Sequence, residues 1–189
     1  MFTIVKNSGL SNLRVMIFVD GENLAIRCKA MIDAGTHRLE PNVELRENIY
    51  AWSPALTRNQ IVANGAILRT YYYTAVQGDH PLVEDVEADL KRLGVAAPRV
   101  FKKERGKRSK RVDITLATDM LLHATRNNYD IAVLVAGDED YVPLVNAVQA
   151  EGRGVHVWSV KSGLSQKLVH AADEFTDLSE GVLLQRTDA

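Results

Sequence analysis

A chain of 189 residues has room for one ordinary globular domain with a real core, and too little for two comfortable ones. Its 46% hydrophobic and 25% charged residues match a folded domain, which argues against disorder, and its apolar runs are too short to cross a bilayer. A formal net charge of -1 would speak against a polyanionic partner, but between Lys102 and Arg111 seven basic residues stand against a single acid, Glu104, and such a local field outweighs the mean.

In chain order, RVMIFVD (Arg14 to Asp20) reads as a covered strand centred on Val15 to Val19 and ending on aspartate. A loop is expected next, then a helical region from about Val43 to Val62 that Pro54 should break or kink. Ile67 to Ala75 predicts a second strand. HPLVEDVEADLKRLG repeats apolar residues at Leu82, Val86 and Leu90 between acids, the pattern of an amphipathic helix, closed by Gly94. A third strand is expected at about Val95 to Phe101, and the basic stretch leads from it into a helix from about Val112 to Arg126.

The fourth strand, within IAVLVAGDED, is Ile131 to Val135, and a helix from about Tyr141 to Glu151 follows. Gly152 and Gly154 introduce a fifth strand, Gly154 to Val160, and a short helix spans about Leu164 to Ala172. The tail from about residue 179 is expected to be loosely held. Strands alternating with helices predict an α/β fold with a mainly parallel, five-stranded sheet. No repeat, low-complexity block or long linker divides the chain, so residues 1 to 189 are expected to form one domain.

Cys28 is the sole cysteine, which rules out an internal disulfide framework and a cysteine-rich zinc site and fits a reducing compartment. The first 14 residues lack the features of a secretory signal, so the cytoplasm is the expected location and no membrane partner is expected.

The chemistry sits in the aspartates. In parallel α/β sheets a ligand site forms beyond the carboxyl ends of the strands, where the strand order reverses. Asp20 and Asp138 follow the first and fourth strands at that edge, with Asp140 one turn residue further on. Each has an ordinary reading as a turn or helix-cap residue, but their joint occurrence weakens it. Asp113 opens a helix, where a carboxylate also suits the helix dipole. Asp119 stands about 240° around an ideal helix from Asp113, so it is expected only as a supporting carboxylate. Asn23 is placed to hold a carboxylate or to contact a phosphate oxygen, or to cap a helix.

Carboxylates brought together repel unless a cation neutralises them, and an all-oxygen set without thiolates or clustered histidines favours Mg²⁺ or Mn²⁺. Glu22, Glu84, Asp85, Glu87 and Asp89 read as solvated faces. The basic residues Lys102, Lys103, Arg105, Lys107, Arg108, Lys110 and Arg111 immediately precede Asp113 and suit sequence-independent phosphate contacts. Of Tyr71, Tyr72 and Tyr73, at least one should be core, and an exposed one would suit base stacking. Ser162 and Ser165 precede the last helix as caps or phosphate contacts.

Four stretches together resemble the NYN family, the PIN-like group that includes the bacterial LabA-type proteins. They are FVDGEN (Phe18 to Asn23), KRVDITLATDML (Lys110 to Leu121), LVAGDEDYVPLV (Leu134 to Val145), and GRGVHVWSV followed by LSQKLVHAADEFTDL (Gly152 to Leu178). GDEDYVPLV is the most specific of them. The resemblance implies a three-layer, PIN-like α/β/α sandwich and a metal-dependent nuclease acting on RNA. Carried onto matching positions, it implies Asp20, Asp113, Asp138 and Asp140 as metal-binding acids, with Asn23 beside them. The stretch from about Cys28 to Ala63 is longer than in compact members, and the segment before Asp113 is unusually basic.

The expected reaction is hydrolysis of an RNA phosphodiester on Mg²⁺ or Mn²⁺ held by those acids. The alternative is an RNA-binding or regulatory module that keeps the pocket without useful turnover. A phosphatase of the kind with a second aspartate two residues after the nucleophile is disfavoured, since position 22 is Glu. A toxin-like role remains open at this level, and exposed helix faces would allow a homodimer.

Overall fold

The computed structural model describes residues 13–35, 37–57, 65–103 and 110–185. Sixteen elements follow one another along these residues. They are β1 (Leu13–Asp20), α1 (Gly21–Asp33), β2 (His37–Leu39), β3 (Glu44–Arg46), β4 (Tyr50–Trp52), β5 (Gly65–Val76), α2 (His80–Arg92), β6 (Ala97–Lys102), α3 (Lys110–Thr125), β7 (Ile131–Val135), α4 (Val142–Ala150), β8 (Gly154–Ser159), α5 (Gln166–Ala171), β9 (Glu174–Asp177), α6 (Ser179–Val182) and β10 (Leu183–Gln185). Short 3-10 turns at Pro54–Thr57 and Glu139–Tyr141 complete the set.

The central sheet has six strands in the order β6-β5-β1-β7-β8-β9, and every neighbouring pair is parallel. Strand period two divides β1 between the two faces. Val15, Ile17 and Val19 pack with Leu24, Cys28, Val86 and Leu90 from α1 and α2, whereas Met16 and Phe18 pack with Leu116, Met120, Val145 and Leu168 from α3, α4 and α5. Right-handed crossovers account for this division. The chain steps from β1 through β5 to β6 with its helices on one face, then returns past β1 to β7, β8 and β9 with its helices on the other. The switch in direction falls at β1, so Asp20 ends the strand at which the two halves meet.

Four expectations need correction. The segment after β1 is not a loop: it is α1, with Asp20 as N-cap accepting from the Asn23 amide at 3.0 Å and with Leu24, Ala25 and Cys28 buried. An Asp-Gly pair reads as a turn, and here the turn is the first corner of a helix. The helix expected over 43–62 is absent as far as residue 57, and residues 58–62 lie outside the described part. In its place β3 and β4 form a hairpin with Asn48 at φ 57 in the turn, a conformation asparagine tolerates. The buried Tyr72 hydroxyl secures that hairpin, donating to the Ala51 carbonyl at 2.7 Å and accepting from the Ala51 amide at 3.1 Å.

The sheet has six strands and not five, because β9 adds to the β8 edge with Val157 opposite Phe175. Residues 179–185 are no loose tail: β10 pairs antiparallel with β2, and Val182 and Leu183 are buried. All three tyrosines at 71, 72 and 73 are buried, so none of them is available to stack on a base.

Candidate functional site

The carboxyl edge of the sheet draws together acids from three distant stretches of chain. β1 and β7 are neighbours with Val19 opposite Val135, so Asp20 leaves the sheet beside the loop Ala136-Gly137-Asp138. Asp20 continues the side of Met16 and Phe18, toward α3, whose first turn carries Asp113. The Tyr141 hydroxyl joins the two acids, lying 2.9 Å from Asp20 Oδ2 and 3.3 Å from Asp113 Oδ1. Asp138 caps the following 3-10 turn by accepting from the Asp140 amide at 3.3 Å.

Asp20, Asp113 and Asp138 line two adjoining cavities. One, of about 370 Å³, is completed chiefly by Glu22, Asn23, Arg27, Ser162 and Gly163. The other, of about 490 Å³, has Asp140 and Tyr141 at its acidic end and a mostly apolar wall from α3 and α4, including Ile114, Leu121 and Leu144.

Electrostatics mark the same place. Burial pushes the Asp20 carboxyl up to about 7, and the negative charges of Asp113 and Glu22 add to this, against the opposing hydrogen bonds from the Asn23 amide and the Tyr141 hydroxyl. Asp113 is also raised, by partial desolvation first, with the Tyr141 hydroxyl opposing and Asp138, Glu22 and Asp140 reinforcing. The site thus holds more negative charge than its surroundings stabilise. Among the described residues its half-buried cation is Arg27, lowered by burial and raised by Asp138 and Asp20.

All-oxygen donors with unrelieved negative charge suit a hard divalent cation. Among the described residues, however, no three His, Cys, Asp or Glu side chains converge closely enough to hold an ion by themselves. Two of the acids share a tyrosine hydroxyl and the others stand around the cavities, an arrangement suited to an ion that keeps several of its waters. The donor chemistry therefore fits, with coordination completed partly through water.

The remaining expected residues divide. Asn23 belongs to the site, but as a tie: its Oδ1 accepts from Arg27 Nε at 2.6 Å and from the Gly137 amide at 3.2 Å. Asp119 does not belong, since it accepts from the Tyr73 hydroxyl at 2.9 Å, lies 3.9 Å from Arg99 Nε and lines neither cavity. Lys102, Lys110 and Arg111 are exposed, and Arg105, Lys107 and Arg108 lie outside the described residues. Lys103 is ion-paired with Glu22, so its charge is largely engaged.

That pairing corrects the reading of Glu22 as a solvated face; it stands in the wall of the first cavity. Sequence reasoning also gave no role to Arg27 or Tyr141. Tyr141 is in the GDEDY stretch, three residues after Asp138, and Arg27 stands four residues after Asn23, the spacing that puts two side chains on one face of a helix. Both signals became readable only once α1 and the turn at Glu139–Tyr141 were known.

Comparison with known proteins gives a consistent answer. A protein of unknown function from Vibrio parahaemolyticus, solved by crystallography, superposes with a TM-score of 0.64 at 20% identity, covering 94% of this chain and 99% of that one, and shares its fold. No curated protein matches the sequence. The model of the NYN domain matches residues 14–180. NYN domains are PIN-like, nuclease-type domains, a class that generally uses divalent metal ions on nucleic acid. The matched stretch runs from β1 into α6 and takes in every element that carries an acid of the two cavities, so the chain belongs to the NYN domain family.

Proposed function

We propose that this protein is a ribonuclease dependent on Mg²⁺ or Mn²⁺, hydrolysing RNA phosphodiester bonds at the cleft lined by Asp20, Asp113, Asp138 and Asp140. One observation carries the reading: Asp20, Asp113 and Asp138, from three separate stretches of chain, line both adjoining cavities at the carboxyl edge of a parallel sheet, where its strand order reverses. A bound divalent ion would activate water and offset charge on the phosphate.

The chain's own groups do the rest. Asp20 and Asp138, at adjacent strand ends, would hold the ion, and Asp113 and Asp140 would complete the carboxylate set from the helix and turn that flank them. The Tyr141 hydroxyl keeps the Asp20 and Asp113 side chains turned toward one another. Lys110 and Arg111, exposed in the first turn of α3, and Lys102, exposed at the end of β6, attract the phosphate backbone without reading bases. No side-chain nucleophile is required.

The absence of a tight three-ligand cluster among the described residues favours a second reading, an RNA-binding or regulatory module with little turnover. Labelled single-stranded RNA and DNA, incubated with the protein in Mn²⁺ and in EDTA, separate the two. Cleavage of RNA in Mn²⁺ alone, falling at least about a hundredfold in Asp138→Asn, supports the nuclease. Retained binding with no cleavage that depends on metal and Asp138 supports the module instead, and faster cleavage of DNA would overturn the choice of substrate.

A further inference from the structure

We propose that the wall of the smaller cavity formed by Arg27, Ser162 and Gly163 is a subsite for a backbone phosphate next to the one held at the acids, an inference that rests on the nuclease reading of those acids. Arg27 is built into this wall. Its Nε donates to Asn23 Oδ1 at 2.6 Å, and its Nη1 donates to the Ser162 carbonyl. Two glycines give it room: a Cβ at Gly137 would stand 2.7 Å from Arg27 Cζ, and one at Gly163 would stand 2.6 Å from Nη1. Gly163 also sits at φ +62, where a side chain is disfavoured in its own right. The guanidinium is therefore fixed in place before any ligand arrives.

Its charge, meanwhile, is held in no direct ion pair among the described residues: Asp138 and Asp20 act on it without touching it. Both of its hydrogen-bond acceptors are neutral oxygens, and among the described residues it forms no ion pair, although Asp20, Asp113 and Asp138 line the same cavity. Nη2 makes no hydrogen bond to the described protein, nor does the Ser162 hydroxyl. A half-buried cation with no counter-ion in contact is costly, and a planar guanidinium with free donors matches the oxygens of a phosphate. Beside Arg27 on α1, Ile26 and Ala30 add small or apolar side chains to the lining, and Arg27 is its basic group among the described residues.

The second cavity offers no such group. Among the described residues its lining carries no basic side chain, so a strand crossing the acids would have its next phosphate on the Arg27 side. Arg27 contacts ligand in this arrangement, whereas Asn23, Gly137 and Gly163 position it.

The test uses a short fluorescent single-stranded RNA, with binding measured by anisotropy in EDTA across a salt series. Arg27→Met is expected to weaken binding and reduce the slope of log K against log salt by ~0.7, the change for one lost phosphate contact on a single strand. Arg27→Lys is expected to restore the slope but not the full affinity. An unchanged slope in a folded Arg27→Met overturns the subsite, because a purely structural clamp would lower the melting temperature without moving it. The wild type supplies a second measurement that needs no variant to fold. Neutralising the linkages one at a time as methylphosphonates is expected to reveal one, adjacent to the cleaved bond, that raises KM more than it lowers kcat. A scan with no such linkage overturns the proposal. Failure of the nuclease reading shows separately, as RNA bound with the Arg27-dependent slope and never cut.

Discussion

Among the described glycines, Gly21 is the most tightly enclosed. A Cβ there would lie 2.0 Å from Cε1 of the buried Tyr72 ring, so the glycine after Asp20 is required by packing. Gly21→Ala is expected to cost about 1–3 kcal/mol and to displace the start of α1, measured by urea denaturation and by loss of RNA cleavage. Asp20 gives a pH-dependent prediction. Its carboxyl rises from 3.8 to about 7 on folding, so the metal-free folded state holds this proton more tightly than the unfolded chain. The stability linked to it is complete below about pH 4 and is lost as pH rises through about 7, a change on the order of a few kcal/mol. In EDTA the urea midpoint should therefore fall between about pH 5 and pH 8, and Asp20→Asn should flatten that fall. At this scale the sequence revealed the acids, because strand ends and aspartates are local features. It did not reveal Tyr141 and Arg27 as partners, because their roles depend on groups far along the chain: Asp20 for the first, Ser162 and Gly137 for the second.

Between elements, the register of β1 against β7 decides whether the acids meet. Arg14 sets it at the opposite end of the strands. Its backbone amide and Nε donate to Asp130 Oδ2 at 2.8 and 3.1 Å, its Nη2 donates to Asp130 Oδ1 at 2.7 Å, and its Nη1 donates to the Asn127 carbonyl at 2.6 Å. A slip of one residue would turn each side chain of β1 to the opposite face and carry Asp20 away from α3. The hydrogen bonds from the Arg14 side chain and backbone hold the Asp130 carboxyl below its usual range, so this anchor contributes above about pH 4 and is lost as pH falls through the lowered value. Asp130→Asn is expected to lower stability by about 1 kcal/mol near neutrality and to have no effect in strong acid, as measured by unfolding across pH. The alternation of strand and helix was legible from β5 onward because each element buries its own periodic face. α1 was not, since its Asp-Gly start is also a turn signal, and neither was the β3 and β4 hairpin, since a buried tyrosine on another strand secures it.

Across the molecule, the parts that sequence missed are those that hold one another. β2 pairs with β10, the Glu40 amide donates to the Val182 carbonyl at 3.1 Å, and the Ser53 hydroxyl donates to the Gly181 carbonyl at 2.7 Å. Local patterning carries no record of such long-range pairing, and taken alone it predicts a loop and then a kinked helix from about Val43 to Val62, with a loose tail from about residue 179. Removing residues 179–189 is expected to leave the six-stranded sheet folded while protease cuts within 37–57 become faster, followed by mass spectrometry of the fragments. We expect the intact chain to unfold in a single calorimetric transition, as one domain, with Mg²⁺ or Mn²⁺ raising its midpoint in the wild type and not in Asp138→Asn. The place of β1 in the strand order has one more consequence. β1 precedes its β7 neighbour by a long stretch of chain, β7 being the fourth of the six sheet strands in sequence, so a growing polypeptide carries Asp20 and Asp113 before Asp138 exists to join them. In the proposed nuclease, a cutting centre could thus assemble only after every segment from β1 through the loop that follows β7 has left the ribosome, itself built of RNA.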